Sequence, residues 1–417
     1  MSLETARADA MAGAEQRVSN LELFFDLVFV FTLTQLTALL AADLSAQGIA
    51  RVALIFGVLW WMYGAYAWLT NIVPPDTTVR RFGLMAGMGA FLVCAIAIPR
   101  AFGTGGLAFG LGYLGVVVVH SALFWRVSSL NAIVRFVPFN VVAAVLVVLA
   151  ATTGPVMTYV WWVMAVLLQI VTPYLAGAPA HYQLRTSHFV ERHGLLLIVA
   201  FGESVVAIGV GTTQEPLTAS TFLAALLGLT LAVTLWWTYF GRDEAAAGQT
   251  LTQAPAWRRS RLAINAYFVS YVPMLLGIIV VAAGVKRSLG RADERLDLAS
   301  ALALACGVAL YLLGDVVFRS VLQLRPVVFR SVAAGAALGT ALLGVWVTAA
   351  VQLAVLVVLV WIALGLEAIL PYGRSAGAAP AATRPANTGS AATTTGSAAT
   401  GPAATSGSGQ PADSQAS

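Results

Sequence analysis

Four carboxylates stand where carboxylates are costly. Glu22 and Asp26 open an apolar run over residues 20–42, and Glu191 and Glu203 lie at either end of the stretch His188 to Ser204, in an apolar run over 190–212. A carboxylate inside such a run has three fates: a cationic partner on another helix, protonation, or a bound cation. Glu22 and Asp26 are four apart, so on a helix they share one face. No Arg or Lys in its own run can reach Glu203. For Glu203 a proton or cation site and a hydrogen-bonded tie between helices are balanced readings; for Asp26 the functional reading leads. Glu22 and Glu191 sit at a helix start, where the helix dipole favours a carboxylate, so there the structural reading leads. His188, Arg192 and His193 are expected to bridge to Glu22 or Asp26. Thr32, Thr34, Gln35 and Thr37 extend the polarity of the first run.

The spacing of His188 and Glu191 occurs in metal sites. No second such pair exists and Arg192 adjoins it, so neither a metal nor another cofactor is expected. His120 reads as a hydrogen-bonded core histidine. Asp315 and Glu367 lie near helix ends, within reach of water or Arg319. Cys94 and Cys306 read as small core residues.

The elements that position these groups follow from composition. Of 417 residues, 59% are hydrophobic and 10% charged, against about 25% charged in a soluble domain. Twelve apolar runs occur, at about 20–42, 49–72, 82–99, 106–125, 133–153, 156–176, 190–212, 218–240, 262–285, 298–318, 327–348 and 350–370. Each is near the roughly 20 residues that a bilayer core requires. Pro138 and Pro273 interrupt the fifth and ninth runs as packing kinks. Gly83-x-x-x-Gly87 and Gly335-x-x-x-Gly339 read as close-packing signals between helices. The net charge of +5 comes from basic residues clustered between the runs, so it calls for a lipid bilayer and not for nucleic acid. Residues 1–17 are polar and mixed in charge, unlike a cleaved signal peptide. Residues 373–417 are an Ala/Thr/Ser/Gly/Pro tail, expected to be disordered.

With the N-terminus inside, seventeen of the 23 Lys and Arg fall in inner segments, so both termini are expected in the cytoplasm. The exception is the outer loop 286–297. An internal duplication is also visible. Leu59-Trp60-Trp61-Met62-Tyr63 returns as Leu235-Trp236-Trp237-Thr238-Tyr239. Arg80-Arg81-Phe82-Gly83-Leu84 returns as Arg258-Arg259-Ser260-Arg261-Leu262, Tyr113 has an echo in Tyr311, and Glu22 and Glu191 open the two units. The expected fold is an all-α polytopic membrane protein of about twelve transmembrane helices, arranged as two parallel six-helix repeats, 18–177 and 178–372. An axis along the membrane normal would relate them.

Leu21-Glu-Leu-Phe-Phe-Asp-Leu-Val-Phe-Val-Phe31, His188-Phe-Val-Glu-Arg-His-Gly194 and Phe201-Gly-Glu-Ser204 resemble signature stretches of the bacterial low temperature requirement A family. The resemblance covers about residues 17–372 and implies a multi-pass inner-membrane protein without a defined substrate. Phe24-Phe-Asp-Leu-Val-Phe29 is more loosely similar to the Phe-Ser-Asp motif of lysosomal potassium channels, with Phe25 here in place of Ser.

Three function classes follow. A transporter or channel for a cation, proton or small solute, with its pathway along the first and seventh runs, fits the duplication and the acidic helices best. A sensor or assembly protein would use the same carboxylates as internal ties. A membrane-embedded enzyme lacks a visible nucleophile–base pair, metal cluster or aqueous domain, so no enzymatic activity is expected.

Overall fold

The computed structural model describes residues 18–126, 130–176, 184–213 and 216–370; the expected N-terminal segment and tail lie outside the described residues. Helix α1 (Asn20–Ala42) starts at a reciprocal cap. The Ser19 hydroxyl accepts from the Glu22 amide, and the Glu22 carboxylate accepts from the Ser19 amide. This satisfies two donors that a helix start leaves orphaned. Ser45, Thr77, Thr218, Asp297 and Thr348 cap α2 (Ala46–Ile72), α3 (Thr78–Ala97), α8 (Ala219–Phe240), α12 (Leu298–Val321) and α15 (Ala349–Ile369) in the simpler one-way manner. The other helices are α4 (Gly106–Trp125), α5 (Leu130–Ala150), α6 (Pro155–Ala176), α7 (Thr186–Thr212), α9 (Asp243–Gln253), α10 (Ala256–Ala263), α11 (Tyr271–Ser288), α13 (Val328–Gly339) and α14 (Ala341–Trp346).

Among the described residues, eleven helical stretches are long and apolar enough to cross a bilayer, and a shorter apolar one covers Val134–Ala150. The eleventh expected run is broken at Thr340 into α13 and α14. The expected inner loop after α8 is helical, as α9 and α10. Large apolar side chains such as Phe82, Ile96, Leu107, Val134 and Leu226 point outward while Glu22, Asp26, Arg192 and Asp315 are buried. Water would not tolerate that surface and lipid does.

The two interrupting prolines act differently. Pro138 sits inside the continuous α5. Pro273 has no N–H to return to the preceding turn, and the chain just before it widens into a π-helical turn, Ile264–Val269. There the Ser270 amide donates to Asn265, five residues back.

Helix α1 packs against α2, α3, α7 and α11. The tightest pair is α11 with α12. A Cβ on Gly277 would lie 2.6 Å from the Tyr311 backbone nitrogen, and one on Gly307 would lie 2.7 Å from that of Val281. The glycine-spacing expectation holds at Gly83 and Gly87, which meet Leu123 and Tyr66, and fails at Gly335 and Gly339, where the space is open. Spacing marks a small-residue face and leaves its direction undetermined.

Candidate ion-pair and carboxylate site

The start of α1, the end of α2 and the start of α7 converge on one buried network. Its ionisable members Glu22, Asp26, His188 and Arg192 are each 2% exposed or less. Arg192 donates to Asp26 from Nη2 at 2.8 Å and from Nε at 3.2 Å, and from Nη1 to Glu22 at 3.2 Å. Nη1 also donates to the Thr70 hydroxyl. The guanidinium lies 5.9 Å from the ring centres of Phe25 and Tyr63, so its faces are covered by aromatic rings as well. The Tyr63 hydroxyl donates to Asp26 at 3.0 Å, and the Ser19 hydroxyl to Glu22 at 2.8 Å.

His188 is held in one tautomer by a chain of forced assignments. The Asn71 side chain accepts from the Arg185 amide at 3.1 Å and donates to the Arg185 carbonyl at 3.0 Å, which fixes the amide orientation. Its Nδ2 therefore also donates to His188 Nδ1, at 3.1 Å. The ring proton then sits on Nε2 and is donated to Glu22 at 3.2 Å. In this arrangement His188 is neutral, and two carboxylates face one guanidinium. Hydrogen bonds from Ser19, Tyr63 and His188 support the second negative charge.

Two expected members are elsewhere. His193 does not bridge to a carboxylate, because its direction on α7 is toward the aromatic rings of Phe189, Tyr267 and Tyr271. There Nδ1 donates to the Phe189 carbonyl at 2.8 Å. Glu191 is exposed and faces away from the network; its charge acts on Glu244 of α9. Asp26, for which the functional reading leads in the sequence, is instead paired with Arg192 of α7. The participation of Tyr63, Thr70 and Asn71 was not anticipated. The signal for Tyr63 was its place in the repeated Leu-Trp-Trp-x-Tyr stretch of α2.

Glu203 is a different kind of carboxylate. It sits well along α7 from the network and, among the described residues, accepts one hydrogen bond, at 2.5 Å from the Thr34 hydroxyl of α1. The charge of Lys286, near the end of α11, acts on it from a distance. Along α1, Thr34 is eight residues beyond Asp26, about 12 Å at 1.5 Å per residue. Leu33 on α1 and Leu196, Leu197 and Ala200 on α7, which lie between the two stations in sequence, are buried apolar groups. Of the neighbouring polar groups, Thr32 bonds back to the Phe29 carbonyl, and Thr37 is buried with no partner for its hydroxyl among the described residues.

A second buried network joins the start of α9 to α12, α13 and α15. Arg330 binds Asp243 at 2.7 Å, Glu367 at 2.9 Å and Asp315, while Arg319 binds Asp243 at 3.1 Å and Glu367 at 3.4 Å. Arg319 reaches Glu367 as expected, whereas the ion-pair partner of Asp315 is Arg330. This network shares a face of the bundle with the first, since α9, which begins at Asp243, packs on the start of α7. No group of three or more His, Cys, Asp or Glu suited to a metal ion occurs among the described residues.

An uncharacterised protein of Rhizobium meliloti (strain 1021) is 29% identical over 316 residues, covering 72% of this chain and 76% of the relative. The family model described as bacterial low temperature requirement A protein (LtrA) matches residues 17–365, a span that holds both ion networks and Glu203. The chain therefore belongs to the bacterial LtrA family, and it is a multi-pass protein of a bacterial membrane.

Proposed function

We propose that the protein is a transporter or channel for protons or small cations, with its pathway along α1 and α7 and with Glu203 as the exchanging carboxylate. The observation that carries this reading is the contrast between the two acidic stations on that helix pair. Asp26 accepts several hydrogen bonds from Arg192 and Tyr63, whereas among the described residues Glu203 accepts one, from Thr34. A saturated ion pair positions helices, and an under-coordinated carboxylate in a membrane span can take up a proton or a cation. Asp26, Glu22, Arg192 and His188 accordingly anchor the pathway and leave exchange to Glu203. Glu191, exposed beside Glu244, adds negative charge at the near entrance.

The two-repeat arrangement of twelve spans belongs to the same proposal. Its support is that the neighbour pattern of the first six helices recurs in the second. Helices α1–α2, α1–α3, α2–α6, α3–α4, α4–α5 and α5–α6 pack in one half, and α7–α8, α7–α11, α8–α15, α11–α12, α12–α13 and α13–α15 in the other. The basic-residue bias supports an orientation in which the face bearing both networks is turned to the cytoplasm, with both termini. In a cysteine-free background, an impermeant thiol reagent added outside should label a probe in 286–297 and spare one in 242–258; the reverse result inverts the orientation.

A second reading, in which all these carboxylates are internal ties, draws its support from the saturation of Asp26. Vesicle reconstitution separates the two. Glu203→Gln keeps the shape and removes the charge, so it should fold normally and abolish pH-gradient dissipation or cation flux. Full flux in that variant removes Glu203 from the pathway.

A further inference from the structure

The end of α1, the start of α2 and the turn between α3 and α4 meet at the face opposite the Glu22–Arg192 network. They line an open pocket of about 290 Å³. Leu39, Ile98 and Phe102 form its apolar side, and Arg51, Arg100 and Thr104 its polar side. Arg51 is held in place. Its Nε donates to the Tyr159 hydroxyl at 2.9 Å, and its guanidinium lies 5.8 Å from the centre of the Phe102 ring. Its counter-charge is Asp43, at 3.9 Å and the limit of an ion pair. Hydrogen bonds from Ser45 hold the Asp43 carboxyl below the usual range, so it remains an anion. The Arg100 guanidinium has no partner among the described residues. Two guanidiniums against one carboxylate leave the pocket with one net positive charge.

We propose that this pocket binds the phosphodiester headgroup of an anionic phospholipid. Charge and shape both lead there. A phosphodiester carries one negative charge, which balances the pocket. Guanidinium forks fit phosphate oxygens in pairs. Ile96 and Leu107, two and three residues in sequence from the lining residues Ile98 and Thr104, face outward, and acyl chains would lie along them. A free phosphate has the same head chemistry and no use for that apolar side. The site does not include Glu203 and stands whether or not the chain transports anything.

The test uses the full-length protein purified in detergent, titrated with phosphatidylglycerol, phosphatidylcholine or inorganic phosphate, and read by native mass spectrometry and melting temperature. Phosphatidylglycerol should be retained in preference to phosphatidylcholine. Arg100→Ala should lose about tenfold in its affinity, the effect of removing one charge-assisted contact, with the lipid-free melting temperature unchanged. Arg51→Lys keeps the charge and loses the fork, and should weaken binding in the same direction. Stabilisation by inorganic phosphate without any effect of phosphatidylglycerol would overturn the lipid assignment. Unchanged phosphatidylglycerol binding in both variants would overturn the site itself.

Discussion

Replacing Arg192 by Gln removes the one positive charge that two buried carboxylates share. At a charge separation of about 4 Å and an effective dielectric of about 20, each Arg192–carboxylate pair is worth about 4 kcal/mol of Coulomb energy. Part of that attraction offsets the desolvation of all three groups, which the variant does not recover while the carboxylates stay buried. The expected loss is therefore about 3–5 kcal/mol, the usual cost of stripping one partner from a buried pair. Neutralising the survivors should reverse most of it. Glu22→Gln/Asp26→Asn/Arg192→Gln leaves no charge to desolvate, so the triple variant should be more stable than the single one. The cycle between Asp26→Asn and Arg192→Gln should show coupling above about 1 kcal/mol. Unfolding in mixed micelles, followed by tryptophan fluorescence, measures each corner. A loss below about 1 kcal/mol for Arg192→Gln, or a triple variant weaker than the single one, would refute the assignment of this network as an internal ion tie.

Two further outcomes are expected. Gly277→Ala should cost about 1–3 kcal/mol, because the new methyl meets the α12 backbone, whereas Gly335→Ala and Gly339→Ala should stay within about 0.5 kcal/mol; the same unfolding assay ranks them. Partial burial opposes ionisation of Asp297, but hydrogen bonds from Ser300 and the charge of Arg287 outweigh it, so the carboxyl lies below the usual range. A lowered value means that its stabilisation of the α12 start is present at neutral pH and fades as the pH falls through that value. Asp297→Asn should therefore flatten the acid limb of a melting-temperature profile.

The sequence located the charged groups better than it located their partners. Polar residues in an apolar run must be satisfied inside the protein, so a His and an Arg near Glu191 pointed to carboxylates on another helix. His188 and Arg192 do meet Glu22 and Asp26. His193 was grouped with them by nearness in sequence, yet one residue along a helix turns a side chain by about 100°, and that turn carries it into the aromatic cluster. Arg330 and Asp243 escaped notice because each sits at a helix end, where a charge ordinarily meets water. Only the assembled bundle buries both. Thr34 is legible from its polarity in the first run, but that it meets Glu203 depends on how α1 crosses α7. Spacing within either helix does not contain that crossing.

The ties between α1 and α7 are distributed unevenly, and this has a mechanical consequence. At the near face the two helices share three charged or hydrogen-bonded contacts through Arg192 and His188, reinforced from α2 by Tyr63, Thr70 and Asn71. Further along, among the described residues, the polar link between them is Thr34 to Glu203. Apolar contacts between helices are non-directional and are largely matched by lipid, so they resist separation less than a buried ion pair does. Any relative motion of α1 and α7 should pivot at the Arg192 network and open at the Glu203 end. Spin labels at the outward-facing positions Phe24 and Glu191 report the near end, and labels at Ala38 and Gly209 report the far end. The far pair should give the broader distance distribution in lipid nanodiscs, and Glu203→Gln should broaden it further while leaving the near pair unchanged. Equal widths at the two ends would mean that the helices move as one rigid unit, and the pivot would have to be sought elsewhere.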